Sequence, residues 1–196
     1  MILALTGYKG SGKNETANIL RDYNVDFFEY SFANPLKEIC KIIFGFTDED
    51  YLPENKDKKG KYGISPREAW ISFGDDYIKK YLCNTYSEYK EIVGNNFWVK
   101  KFEEVMQQTD ENKLVIITDL RFPQELEAIQ KFKHKVVLID RQEKVPDLAQ
   151  ETEKYISSFP VDYIINNNST KIELRKQVQN LIYYYNLLDY WGTYVY

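Results

Sequence analysis

Cysteine and histidine are nearly absent: Cys40, Cys83 and His134 are all that 196 residues contain. Two cysteines cannot build a disulfide framework, and one histidine removes His-rich metal clusters and Ser-His-Asp triads from consideration. A reducing compartment, the cytoplasm, is therefore expected. Long hydrophobic runs are missing too. Ile2-Leu3-Ala4-Leu5 is too short for a signal h-region, and no apolar stretch approaches the roughly 18 residues of a membrane span. No excess of positive charge exists either, with 26 Lys+Arg against 30 Asp+Glu, a net charge of −4 and no Lys/Arg block or basic helix. That balance argues against nucleic acid as a partner and leaves room for a small basic pocket holding an anionic small molecule. What is abundant is apolar surface. A hydrophobic content of 43%, with 16% aromatic, supplies a closed core and excludes a disordered chain, and the length suits one domain.

The order of the pattern predicts an α/β fold. Ile2 to Thr6 is a short apolar run broken by Gly7; a Gly/Ser/Lys cluster follows, then helical spacing through Thr16 to Arg21. Leu114 to Thr118 is a β-rich run leading to a helix that Pro123 opens. Val136 to Ile139 and Tyr163 to Ile165 read as further buried strands. Lys171 to Leu188 reads as a helix with Ile172, Leu174, Val178, Leu181 and Ile182 on its apolar side. Apolar strands alternating with helices imply a parallel sheet with helices on both faces, a three-layer arrangement. Between these cycles the pattern changes: Asn34 to Phe46, Pro66 to Leu82 and Asn95 to Gln108 look helical, and Asp48 to Ser65 is polar. This stretch is expected to be an insertion in a single domain, with residues 54–61 as a mobile loop because they lack an apolar anchor. The last 14 residues carry six tyrosines and Trp191, which suit core cover, a homodimer contact or a stacking surface.

The strongest chemical signal is Gly7-Tyr8-Lys9-Gly10-Ser11-Gly12-Lys13-Asn14, a G-x-x-x-x-G-K run between a strand and a helix. Its glycines let backbone amides wrap phosphate oxygens, the helix N-terminus points at them, and Lys13 adds positive charge. The position that normally carries a Mg2+-ligating hydroxyl holds Asn14, followed by Glu15 and Thr16. Asn14 offers an amide oxygen to the metal, directly or through water. The second signal is Leu114 to Arg121, an apolar strand ending in Asp119 with Arg121 two residues on. An acid at a strand's carboxyl end can hold a metal-bound water, and an arginine on the same rim can bind phosphate bidentately. A strand-end Asp can equally cap the next helix. Of the other arginines, Arg21 and Arg175 look like helix-surface charges, whereas Arg67 and Arg141 could face a cleft or only solvent.

Taken together, the 7–14 run, Ala33-Asn34-Pro35-Leu36-Lys37, Ser65-Pro66-Arg67, Asn96-Phe97-Trp98-Val99-Lys100 and Thr118-Asp119-Leu120-Arg121-Phe122-Pro123 resemble the bacteriophage deoxynucleoside monophosphate kinases, over most of the chain. A His-x-Ser/Thr-Glu segment of that family is matched by Gln150-Glu151-Thr152-Glu153, with Gln in place of His. The resemblance implies a P-loop NTPase fold with a core of residues 1–33, 109–140 and 161–196, a helical acceptor-binding insertion over about 34–108 and a lid over about 141–160. It implies transfer of the γ-phosphate of ATP to a (deoxy)nucleoside monophosphate, with ATP and Mg2+ as cofactors and, for a phage-encoded chain, the host cytoplasm as location. Residues Gly7 through Glu15 would bind ATP, and Asn14 and Asp119 the metal. Lys37, Arg67, Trp98, Arg121, Thr152 and Glu153 would bind the acceptor, while Lys13, Asp119, Arg121 and Arg141 would serve the transfer itself. Dephospho-coenzyme A kinases and phosphomevalonate kinases resemble the same plan and mark the alternative acceptors. A nucleotide-binding module without turnover is a third reading, against which stands the lack of an Asn-Lys-x-Asp guanine-reading segment.

Overall fold

In a computed structural model, residues 1–52, 54–94, 96–142 and 153–188 are described. Five strands run in parallel: β1 (Ile2–Thr6), β2 (Phe28–Tyr30), β3 (Val115–Ile117), β4 (His134–Asp140) and β5 (Tyr163–Asn166), in the order β2-β3-β1-β4-β5. Central β1 pairs with β3 on one side (Ile2 with Val115) and β4 on the other (Ile2 with His134). All five of its residues are buried, as the continuous apolar run requires of a strand covered on both faces.

Two helices build one side of the core. In α1 (Lys13–Asp22), Ile19 and Leu20 are buried; in α8 (Lys171–Tyr185), Leu174, Val178, Leu181 and Ile182 are, at i, i+4, i+7 and i+8. They pack with Leu3, Leu5, Ile116, Val137, Ile139 and Ile165 of the sheet. Ile172, expected on that stripe, is instead 69% exposed, because two residues before Leu174 it lies on the far side of the helix. The short α7 (Pro123–Ile129) buries Leu126, Ala128 and Ile129. The alternating strands and helices form an α/β fold around one all-parallel sheet.

The described residues group into two compact units, 1–31 with 108–196, and 32–107. The second is helical: α2 (Asn34–Phe44), α3 (Pro66–Ile71), a π-helix over Ser72–Tyr81, α4 (Leu82–Thr85), α5 (Ser87–Ile92) and α6 (Phe97–Gln108). Where the pattern predicts one helix over 66–82, the chain widens to π-helical turns from Ser72, with Gly74 seated against Leu36. Residues 54–61, expected as a loop without anchors, are described as turns with several ties. The Arg67 amide donates to the Lys56 carbonyl (3.0 Å), the Gly60 amide to that of Ile64 (2.9 Å), and Lys59 pairs with Glu68. Polar and backbone bonds do there what apolar burial cannot. Of the expected lid, residues 143–152 lie outside the described residues, as do 189–196 of the tyrosine-rich end. Tyr183 and Tyr184, at the end of α8, are exposed.

Candidate active site

The loop between β1 and α1 is shaped by three glycines in conformations that disfavour side chains: Gly7 (φ 144°), Gly10 (φ 76°) and Gly12 (φ 109°). At Gly7 a Cβ would stand 2.5 Å from the Ile139 carbonyl oxygen of β4, and at Gly12 one would stand 2.5 Å from Asn167 Nδ2. Both positions therefore need glycine twice over, for backbone angle and for space. Asn167, just beyond β5, clamps the loop: its side-chain amide donates to the Ser11 carbonyl (2.7 Å) and its backbone N–H to the Asp140 carbonyl (2.7 Å). The Ser11 hydroxyl is buried with no hydrogen-bond partner among the described residues. A buried orphan hydroxyl inside a glycine cradle at a helix N-terminus fits a phosphate, whose oxygens would accept from it and from the loop amides.

Lys13 opens α1 and is buried, its Nζ donating to the carbonyls of Gly7 (2.6 Å) and Tyr8 (3.0 Å). Burial lowers its pKa to about 8; the nearby Arg121 charge adds to that shift, while Asp119 and Glu153 oppose it. Asn14 is exposed, and Glu15 pairs with Lys171 (2.8 Å). The Thr16 hydroxyl is turned back on the Gly12 carbonyl (3.0 Å) within its own helix. Glu153, 3% exposed, accepts the Lys9 amide at 2.6 Å, so a carboxylate holds one of the loop's N–H groups.

The Asp119 segment forms the second wall. The Thr6 hydroxyl at the end of β1 donates to the Leu120 carbonyl (3.0 Å), tying the segment to the start of the glycine loop. Asp119 accepts the Ser31 hydroxyl at 2.6 Å. Glu125 of α7 is buried, and its Oε2 accepts the backbone amides of Arg121 (2.8 Å) and Phe122 (3.0 Å), the arrangement of an acid at the third position of a helix. Sequence reasoning passed over Ser31, Glu125 and Asn167. The acid three residues after Phe122 was a usable signal for Glu125, whereas Asn167 acts on a loop 156 residues away and leaves no local trace.

Lys13, Asp119, Arg121 and Glu153 thus share one electrostatic neighbourhood. Arg141 follows β4 directly, where the Gln142 amide donates to Asn168 Oδ1 (2.6 Å). Thr152 lies outside the described residues. Lys37, Arg67 and Trp98 belong to the 32–107 unit. There the Lys37 carbonyl accepts the Tyr51 hydroxyl (3.0 Å), Arg67 is forked onto Asp57, and Trp98 meets the Phe97 ring edge-on with centroids 4.8 Å apart. Among the described residues no group of three or more His, Cys, Asp or Glu stands together to hold a metal. Of the residues expected to hold it, Asp119 offers a carboxylate and Asn14 an amide oxygen. This hard-oxygen set suits Mg2+, which completes its shell with waters and phosphate oxygens.

Glu125 has a consequence for stability. Burial, with the Asp119 charge adding to it, raises its pKa to about 8 from an unfolded value of 4.5, against the pull of the two amides and Arg121. Between those limits the unfolded chain releases a proton that the folded chain keeps, so Glu125 makes stability fall as pH rises from about 4.5 to about 8, by at most about 1.4 kcal/mol per pH unit. Urea denaturation at intervals across that range is expected to show this slope, and Glu125→Gln to flatten it; an equal slope in both proteins would place the titration elsewhere.

The family model described as deoxynucleotide monophosphate kinase matches residues 89–178, the stretch that carries Asp119, Arg121, Glu125, Glu153 and Asn167. That is the family this chain resembles. A protein of Acanthamoeba polyphaga mimivirus assigned as a deoxynucleotide monophosphate kinase is 28% identical over 183 residues, which cover 91% of this chain and 94% of that one. The deoxynucleoside-5'-monophosphate kinase of Escherichia phage T5 is 25% identical, over 68% of this chain and 73% of its own. Among solved structures, TT1252 from Thermus thermophilus shares the fold at a TM-score of 0.50 with 14% identity, covering 94% of this chain and 97% of that one. Dephospho-CoA kinase from Campylobacter jejuni has a TM-score of 0.49 and 18% identity, over 93% and 95% of the two chains. No helix among the described residues is long and apolar enough to cross a membrane.

Proposed function

We propose that this chain transfers the γ-phosphate of ATP to a (deoxy)nucleoside monophosphate, giving the diphosphate and ADP. One observation carries the nucleotide half of the reading: a glycine cradle with a buried orphan Ser11 hydroxyl and a buried lysine at the head of α1. The likeness to the deoxynucleotide monophosphate kinases supports the acceptor half.

Phosphoryl transfer asks for alignment, positive charge on the equatorial oxygens and exclusion of water more than for covalent help. On this reading the amides of residues 7–14 bind the donor phosphates, and Lys13 exchanges the carbonyls of Gly7 and Tyr8 for phosphate oxygens. Glu153 gives up the Lys9 amide when phosphate arrives, because the two anions compete for one donor. Asp119 and Asn14 would hold Mg2+, which when bound would supply positive charge against the donor phosphates. Arg121, fixed through its own backbone by Glu125, binds the acceptor phosphate. Arg67, Lys37 and Trp98 serve the acceptor from the helical insertion, and Arg141 with Thr152 and Glu153 acts from the lid segment. The cytoplasm, the host's if the chain is phage-encoded, is the setting this reading gives it.

The deciding experiment is a coupled ADP-release assay with ATP, Mg2+ and each dNMP and NMP in turn, beside dephospho-coenzyme A and a control lacking acceptor. Turnover that depends on a nucleoside monophosphate is expected. Preference for dephospho-coenzyme A, or equal ATP hydrolysis without any acceptor, would overturn the assignment.

A further inference from the structure

The hydroxyl beside the metal-binding acid comes from an unexpected element. In a G-x-x-x-x-G-K loop the next residue normally supplies it, but here that residue is the exposed Asn14, and the Thr16 hydroxyl is spent on the Gly12 carbonyl. Ser31, 6% exposed, directs its hydroxyl at Asp119 Oδ2 from 2.6 Å. The placement is built in. Parallel pairing sets Tyr30 opposite Ile117, and the Thr118 amide donates to the Tyr30 carbonyl (3.2 Å), so the residues leaving β2 and β3 emerge side by side.

We propose that Ser31 is the positioning residue for metal-bound nucleotide in this chain: its hydroxyl fixes the Asp119 carboxylate in the orientation that receives Mg2+. A hydrogen bond to a carboxylate oxygen restrains that group's rotation, as groups bonded to metal ligands commonly do. The inference rests on the reading of Asp119 as the Mg2+ residue and adds to it the source of its orientation.

The test is calorimetric titration of ATP into the full-length protein, with Mg2+ and in EDTA, for wild type, Ser31→Ala, Ser31→Thr and Asp119→Asn, alongside the thermal midpoint of each. The measured quantity is the factor by which Mg2+ tightens ATP binding. Ser31→Ala is expected to lose about tenfold or more of that factor, to bind ATP in EDTA as the wild type does, and to keep its thermal midpoint, while Ser31→Thr restores most of the loss. An undiminished factor in Ser31→Ala overturns the proposal. So does an equal loss of binding in EDTA, which would make Ser31 a general support of the loop, or a threonine variant no better than alanine. Asp119→Asn separates the two layers: if it keeps the full Mg2+ factor, the metal assignment itself fails; if it loses the factor and Ser31→Ala does not, only the role of Ser31 falls.

Discussion

Lys13→Ala is expected to lower kcat/KM by at least about 100- to 1,000-fold, the scale set by removing one preorganised charge-stabilising donor from a water-poor site. The side chain is the buried cation of the loop, held by the carbonyls of Gly7 and Tyr8. Its loss should not harm the fold. Burial already presses the ammonium toward its neutral form, lowering its pKa to about 8, so alanine removes a desolvated charge along with two hydrogen bonds. Steady-state kinetics with a saturating acceptor and a melting curve together make the check; near-normal turnover would sink the loop assignment. The lowered pKa has a direction of its own. ATP affinity is expected to weaken as pH rises through about 8, because binding must then draw a proton onto the neutral Lys13 amine.

Arg121→Ala carries the second large effect. The guanidinium sits on a segment fastened at three points: Thr6 on the Leu120 carbonyl, and Glu125 on the amides of Arg121 and Phe122. Those fasteners hold backbone, so the segment should keep its course when the side chain is cut back. The expected result is a rise in acceptor KM or a fall in kcat, together about 100-fold in kcat/KM, with the affinity for ATP changed several-fold at most. A pure loss of ATP affinity would move Arg121 to the donor side. One secondary effect has a known sign: removing the Arg121 charge relieves part of the pressure on Lys13, so the alkaline weakening of ATP binding should shift to higher pH.

The parts legible in the sequence were those whose physics is local. A run of five buried residues, three glycines and a lysine announce β1, the loop and α1 within the first 22 positions. The β3 strand and its Asp119-Leu120-Arg121 end read equally well, since every residue of Val115–Ile117 is buried. The edge strand β2 did not: only Tyr30 of its three residues is buried, so no apolar run marks it. With β2 went Ser31, whose partner Asp119 is 88 residues away and adjacent only through strand pairing. Ile172 shows the opposite error, an apolar residue near a helical stripe counted into it although its angular position is wrong. The π-helical turns after Ser72 are invisible to a period of 3.6, and the ties across residues 54–61 depend on pairings of charges that spacing cannot choose.

The pairing of β1 also sets a timetable. Ile2 lines up with Val115 and His134, so β1, the middle strand of the sheet, is made well before its two neighbours, which are translated more than a hundred residues later. During synthesis at about 5–20 residues per second, the glycine loop waits several seconds or longer with no sheet to support it, while the helices of residues 32–107 emerge and can condense from contacts close in sequence. The glycine cradle, made before both of the strands that flank β1, is among the last parts of this chain to take shape.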